Sequence, residues 1–132
     1  MVIGDHSDIE LVELDEEFRT PPQFLFGPEP IHNWCYYYQK ADYERQRGNW
    51  EAVLSICEQA FSKGLAPADP IEWMPFLQAY AYTDNPKDLQ RLAPKIVKDP
   101  FVARQVCQTL KAMPSLSSKM KNIIDKNFCA SQ

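Results

Sequence analysis

From about residue 30 onward, apolar residues recur every three or four positions, the spacing of one face of an α-helix. Breaks rich in glycine, proline and asparagine divide this pattern into six segments, each long enough for one helix. In the second segment the apolar residues fall at i, i+3, i+4, i+7 and i+11, namely Trp50, Val53, Leu54, Cys57 and Phe61. Asn49 precedes that stripe as a cap and Gly64 follows it, so both ends of this helix are predicted.

The other segments carry similar stripes and boundary signals. The first segment places Ile31, Trp34, Tyr38 and Ala41 on one face. Asp69-Pro70-Ile71-Glu72 predicts a helix start, with an aspartate cap, proline in the first turn and Glu72 completing a capping box. Pro75 lies beyond that first turn, and we expect a bend or a local loss of hydrogen bonding there. Further starts are predicted at Asn85, at Asp99 and at Ser115 or Ser117.

No segment shows the alternating pattern of a strand, so the predicted fold class is all-α. About six helices in three consecutive antiparallel hairpins are expected over residues 31–132. Trp34, Tyr37, Trp50 and Trp73 are large enough to fill the space between stacked helices, and we interpret them as core.

Residues 1–30 differ from the rest of the chain. Short apolar pairs alternate with carboxylates, and prolines at positions 21, 22, 28 and 30 prevent a continuous helix. The prediction is an extended, acidic, proline-rich segment, with a brief strand or turn at residues 9–14 and an apolar stretch at residues 24–26 that could attach to the helical body.

Charge is distributed unevenly along a chain whose net charge is −4. Residues 1–30 hold eight acidic residues against Arg19 alone, whereas residues 86–132 hold nine basic residues against three acidic ones. Two interpretations stay open: both ends are simply solvated, or the acidic segment binds the basic third or a separate partner.

The four cysteines, Cys35, Cys57, Cys107 and Cys129, include no C-x-x-C pair, so a zinc site is not expected. Free, buried cysteines are the favoured interpretation. No export signal or stretch of about 18 apolar residues is present. We therefore expect a soluble, cytoplasmic protein, with the extramembrane tail of a membrane protein as the alternative.

Motifs for catalysis are missing from the sequence. His6 and His32 have no nucleophile or carboxylate at a suggestive spacing, and no phosphate-binding, dinucleotide-binding or zinc-protease motif occurs. The prediction is a protein that is not an enzyme and that uses no cofactor and no metal.

A shift of 36 residues places Tyr37 over Trp73, Asn49 over Asn85 and Val53 over Leu89. This period over residues 33–100 resembles the tetratricopeptide family, whose unit of about 34 residues is a helix-turn-helix. The resemblance implies a right-handed α-α superhelix with a concave binding surface. The second turn lacks the glycine that the family favours.

A narrower resemblance covers residues 26–83. FGPEPIHNWCYYYQKADYERQRGNWEAV, followed by DPIEWMPFLQAYA, is similar to the soluble C-terminal segment of bacterial multi-spanning glycosyltransferase-like membrane proteins. The transferase chemistry of such proteins lies in their membrane part, so this resemblance implies no catalytic residue here. It does imply association with a membrane protein.

Transferring the tetratricopeptide groove positions selects six candidate partner-binding residues: Tyr38, Asp42, Arg45, Met74, Gln78 and Tyr82. Aromatic and methionine side chains with a few polar groups suit a peptide, so the predicted function is noncatalytic protein-protein interaction. The alternative is an accessory domain that contacts sugar or a lipid-linked substrate. Ordinary surface or packing roles for the six residues stay open. Nucleic-acid binding through the lysine-rich stripe from Lys87 to Lys98 is disfavoured, because no aromatic residues interleave with it.

Overall fold

A computed structural model describes residues 23–28 and 30–130. The chain divides into two units, Met1–Ile31 and His32–Gln132. Most of the acidic segment, including the strand or turn predicted at residues 9–14, lies outside the described residues. Within the first unit, Gln23–Phe26 form a single helical turn, α1, where the sequence predicted extended chain. These four residues contain no proline, and Gly27 ends the turn with φ 76°.

The second unit contains six α-helices, joined by short connections. They are α2 Trp34–Gln46, α3 Trp50–Ser62, α4 Met74–Tyr82, α5 Pro86–Ile96, α6 Pro100–Lys111 and α7 Ser118–Ile124. A 3-10 turn, Pro70–Trp73, precedes α4, and a π-helical turn, Asp125–Cys129, extends α7. No strand occurs in residues 23–28 and 30–130. The all-α prediction and the count of six helices are confirmed.

Polar side chains cap several of these helices at the predicted places. Asn49 accepts a hydrogen bond from Ala52 N, Asp99 from Phe101 N and Ser117 from Met120 N. The start of α2 differs from the prediction, because Asn33 accepts from Tyr36 N and begins the helix there. Ile31 therefore lies before α2 and is 91% exposed, so its assignment to the apolar stripe was wrong.

Pro75 lies where a 3-10 turn gives way to α4, and not inside one continuous α-helix. Asp69 caps a 3-10 turn, because its Oδ1 accepts a hydrogen bond from Ile71 N at 3.0 Å. This turn ends at Trp73, and α4 begins at Met74. Pro75 consequently occupies the first turn of α4, where its missing N–H has no helical partner to lose. Pro70 thus begins the 3-10 turn, and Pro75 lies in the first turn of α4.

Aromatic residues fill the space between α2 and α4, as predicted. Trp34, Tyr37 and Trp73 are buried, and Trp50 is half-buried against the same core. The rings of Trp34 and Trp73 meet edge to face with centroids 5.2 Å apart, and Phe76 lies 5.6 Å from Trp34. Edge-to-face pairs of this kind add to the stabilisation that burial alone provides.

The prediction of free, buried cysteines is wrong for three of the four residues. Cys107 on α6 and Cys129 in the π-helical turn form a disulfide, with Cα atoms 5.3 Å apart. Tertiary packing of the C-terminal turn against α6 brings together two thiols that are 22 positions apart. Cys35 is free but exposed, and only Cys57 is both free and buried as expected. Among the described helices, none has the length and apolar character that crossing a membrane requires.

Candidate functional site

The six predicted partner-binding residues lie on two helices that pack against each other. Tyr38, Asp42 and Arg45 belong to α2, and Met74, Gln78 and Tyr82 belong to α4. All six are half-buried, whereas the residues of the stripe between them, such as Tyr37 and Leu77, are buried. The set is therefore neither core nor open surface.

Asp42 is the centre of a small polar network on α2. Arg45 Nε donates to Asp42 Oδ1 at 2.8 Å, and Gln46 Nε2 donates to Oδ2 at 2.9 Å. Burial raises the pKa of the Asp42 carboxyl, but the two hydrogen bonds and the Arg45 charge outweigh it and leave the pKa below its ordinary value. Asp42 is therefore ionised at neutral pH, and Arg45 is held in place beside it.

Tyr38 lies near carboxylates on both sides. Burial raises the pKa of its phenol, the charges of Asp42 and Glu72 raise it further, and Arg45 opposes them. The hydroxyl group thus stays protonated well above neutral pH and is available as a hydrogen-bond donor.

Glu72 has a role that the sequence did not reveal. Its Oε2 accepts a hydrogen bond of 2.7 Å from Trp34 Nε1, which joins the start of α2 to the 3-10 turn. The capping-box interpretation assigned this carboxylate to the backbone beside Asp69. The local sequence gave no signal for this hydrogen bond, because Trp34 and Glu72 are 38 positions apart. The two side chains meet only when α2 packs against the turn that precedes α4.

Tyr82 is tied to the packing of the helices more firmly than expected. Its ring stacks on Trp50 at the start of α3, with centroids 4.6 Å apart and planes 26° apart. Met74 and Tyr38 also pack against the core with part of their surfaces. Replacing Tyr38 and Tyr82 together would therefore disturb the fold as well as any binding surface. Gln78, by contrast, is a half-buried polar side chain in the middle of α4.

The basic stripe of α5 and the C-terminal helices is partly engaged within the molecule. Arg91 Nη2 lies 3.2 Å from Asp88 Oδ1, and Lys95 Nζ lies 5.1 Å from the centre of the Trp73 ring. Lys111 Nζ pairs with Asp125 Oδ1 at 3.0 Å. These contacts reduce the positive charge available to a phosphate backbone.

Cys57 is poorly suited to nucleophilic chemistry. Burial raises the pKa of its thiol to about 11, and its Sγ lies 3.4 Å from Tyr80 Oη in a buried hydrogen bond. The thiolate is the nucleophilic form of cysteine, so this side chain is inert near neutral pH. In the part of the chain that the structure describes, no group of three His, Cys, Asp or Glu residues could hold a metal ion.

No protein family model matches the chain, and no curated protein or solved structure is significantly similar to it. The tetratricopeptide-like and glycosyltransferase-like resemblances therefore stay predictions.

Proposed function

We propose that residues 32–130 form a noncatalytic, tetratricopeptide-like module that binds a peptide segment of a protein partner along α2 and α4. One observation carries the proposal: the six candidate residues are all half-buried, on two helices in contact, between a buried stripe and the solvent. A half-buried side chain can contact a ligand with its exposed part while its buried part stays packed in the protein.

The architecture that goes with this proposal is three antiparallel hairpins, α2/α3, α4/α5 and α6/α7, stacked in a right-handed superhelix. The order of helix contacts supports it. α2 contacts α3 and α4, α4 contacts α5 and α6, and α6 contacts α7. Each first helix therefore contacts its own second helix and the first helix of the next pair, as stacked repeats require.

The chemistry of the surface suits an extended peptide. Gln78 offers both an amide donor and an amide acceptor, which can hydrogen-bond a peptide backbone. Arg45 is already oriented by Asp42, so its guanidinium loses little conformational entropy on binding. Met74 presents a flexible apolar side chain that adapts to different partners.

The proposal can be tested with peptides selected from a random display library on the immobilised full-length chain. Binding of the selected peptides is then measured by fluorescence anisotropy with the variant Gln78→Lys and with the control Gln59→Lys on the exposed face of α3. We expect Gln78→Lys to weaken binding at least about tenfold, because a lysine there removes the amide and inserts a desolvated charge. Gln59→Lys should have no effect.

Circular dichroism of both variants should match the unmodified protein, since neither glutamine is buried. Failure to enrich any peptide, or equal binding to Gln78→Lys and to the unmodified protein, would contradict the proposal.

A second candidate function is contact with sugar in a membrane glycosyltransferase-like system, with a membrane protein as partner. The observation that favours it is Tyr38, a half-buried aromatic residue on α2 that precedes the Asp42 carboxylate by one helical turn. Rings next to carboxylates are typical of sugar sites. Titration with neutral oligosaccharides while the tryptophan fluorescence is monitored separates the candidates: saturable quenching that Tyr38→Phe abolishes supports sugar binding, and an unchanged spectrum supports the peptide.

A further inference from the structure

A cavity of about 330 Å³ lies between α3 and α5, and none of the six candidate partner-binding residues lines it. Its volume is within the range of small-ligand sites in proteins. The lining residues are Leu54, Glu58, Phe61, Tyr80, Asn85, Asp88 and Arg91. Apolar side chains and charged side chains thus share the walls of one cavity.

Arg91 shows what kind of group this cavity accommodates. Its Cζ lies 5.6 Å from the centre of the Phe61 ring, and its Nη2 lies 3.2 Å from Asp88 Oδ1. An aromatic face and a carboxylate are the two features that attract a guanidinium. Arg91 therefore occupies part of a cation site with its own side chain.

The cavity keeps an acidic excess after Arg91 is counted. Glu58 is exposed on α3, and no hydrogen bond or ion pair is found for its carboxylate within the described residues. Glu58 and Asp88 together carry two negative charges against the single charge of Arg91. One further positive charge would balance the walls.

The apolar part of the wall fits a hydrocarbon stem. Leu54 and Phe61 are half-buried, so each offers apolar surface to the cavity while it packs on the core. Long basic side chains bind in this way, with the methylene groups on apolar surface and the charged end near water. Tyr80 also lines the cavity, and its hydroxyl group is hydrogen-bonded with the Cys57 thiol.

We infer that the groove between α3 and α5 is a second docking surface, which binds an arginine side chain of a protein partner. The arginine stem lies along Leu54 and Phe61, and its guanidinium lies between Glu58 and Asp88. This inference does not depend on the proposed function, because none of the six candidate partner-binding residues lines the cavity.

The test uses an acetylated, amidated glycine-arginine-glycine tripeptide as the probe. The control peptide is the same tripeptide with citrulline in place of arginine, because citrulline has nearly the shape of arginine but no charge. Binding to the full-length protein is followed by two-dimensional NMR of backbone and side-chain amides. We expect a millimolar dissociation constant for the arginine tripeptide, with the largest shifts near Phe61, Asn85 and Asp88, and no saturable shift for citrulline.

Two variants make the test specific. Glu58→Gln keeps the size of the side chain and removes its charge, and should weaken binding about fivefold. Glu51→Gln, a matched change on the exposed surface of α3 outside the cavity, should leave binding unchanged. Arg91→Gln removes the internal competitor and should strengthen binding about threefold, a gain that simple destabilisation of the fold cannot produce.

Several results would overturn the inference. Equal binding of the citrulline tripeptide would show that charge is not recognised, and shifts centred elsewhere would place the binding at another surface. If Glu58→Gln binds the arginine tripeptide with unchanged affinity, or Arg91→Gln binds it more weakly, the cavity is not the site that recognises arginine. Propylguanidinium, a small compound with the single charge of the tripeptide, is the last comparison: if it binds more tightly than the tripeptide, the cavity is a small-molecule site and not a docking surface.

Discussion

Single residues decide where the helices of this chain stop. Gly48 ends the α2 region with φ 71°, in the left-handed region that glycine enters without a steric penalty. Two other turns use residues that do carry a penalty, since Asp84 has φ 55° and Ser115 has φ 63°. Asp84 gains a compensating contact, because Ser117 Oγ donates to its Oδ1 at 2.9 Å. Residue identity therefore predicted the glycine turn, while the other two depend on the surrounding packing.

Ser115→Gly should stabilise the protein. The left-handed conformation costs a non-glycine residue about 1 kcal/mol, and glycine removes this steric cost. Part of the gain is offset, because glycine loses more conformational entropy when the chain folds. We expect the free energy of unfolding to rise by about 0.5 kcal/mol in urea titrations.

The matched control is Gly48→Ala. A Cβ at Gly48 would have no atom within 4 Å, so the backbone conformation alone should determine its cost. That substitution should lower the free energy of unfolding by about 1 kcal/mol. A destabilised Ser115→Gly variant would contradict the argument.

At the scale of an element, the C-terminal end of the chain is held by two different kinds of bond. The disulfide joins Cys107 on α6 to Cys129, and the ion pair of Lys111 with Asp125 joins the same two elements. Phe128, between these anchors, is fully buried. The exposed ion pair contributes little by comparison with a covalent link, because water and salt screen it.

Reduction of the disulfide should measurably lower the stability of the chain. A cross-link across 22 positions restricts the unfolded state, which corresponds to about 3 kcal/mol in the loop-entropy description. Urea unfolding with and without dithiothreitol should show this difference.

Two variants serve as controls for the reduction experiment. The Cys107→Ala, Cys129→Ala double variant should not respond to dithiothreitol, and Cys35→Ser should respond like the unmodified protein. Identical unfolding curves for the oxidised and reduced forms would show that the link does not stabilise the fold.

At the scale of the whole molecule, burial separates residues that look alike in the sequence. Phe101 and Phe128 both lie in segments with helical periodicity. Phe101, at the start of α6, is 81% exposed, whereas Phe128 is completely buried. The difference follows from which helices cover each ring, and that depends on all of the connections together.

Phe128→Ala should cost about 3–5 kcal/mol of unfolding free energy, the range found when a large buried aromatic is removed. Phe101→Ala should change it by less than about 0.5 kcal/mol, since the ring is already in water. Thermal unfolding of both variants under oxidising conditions checks the pair. Similar losses for the two variants would show that the C-terminal turn does not cover the core as described.

The candidate site was only partly readable from the sequence. The tetratricopeptide resemblance selected Tyr38 and Gln78 as groove residues, and the structure finds both half-buried. The hydrogen bond from Trp34 to Glu72 and the stacking of Tyr82 on Trp50 join residues more than 30 positions apart. Contacts of this kind leave no pattern in the sequence, because the two residues lie on separate elements and each also fits a role in its own helix.

The sequence by itself determined the all-α class, the number of helices in residues 32–130 and most of their ends. These features depend on spacing, caps and turn residues, which act over one or two helical turns. Only the tertiary structure decided the cysteine pairing, the partner of Glu72 and the cavity between α3 and α5. The physical reason is common to all three: each requires atoms from separate helices to meet, and packing alone sets those distances.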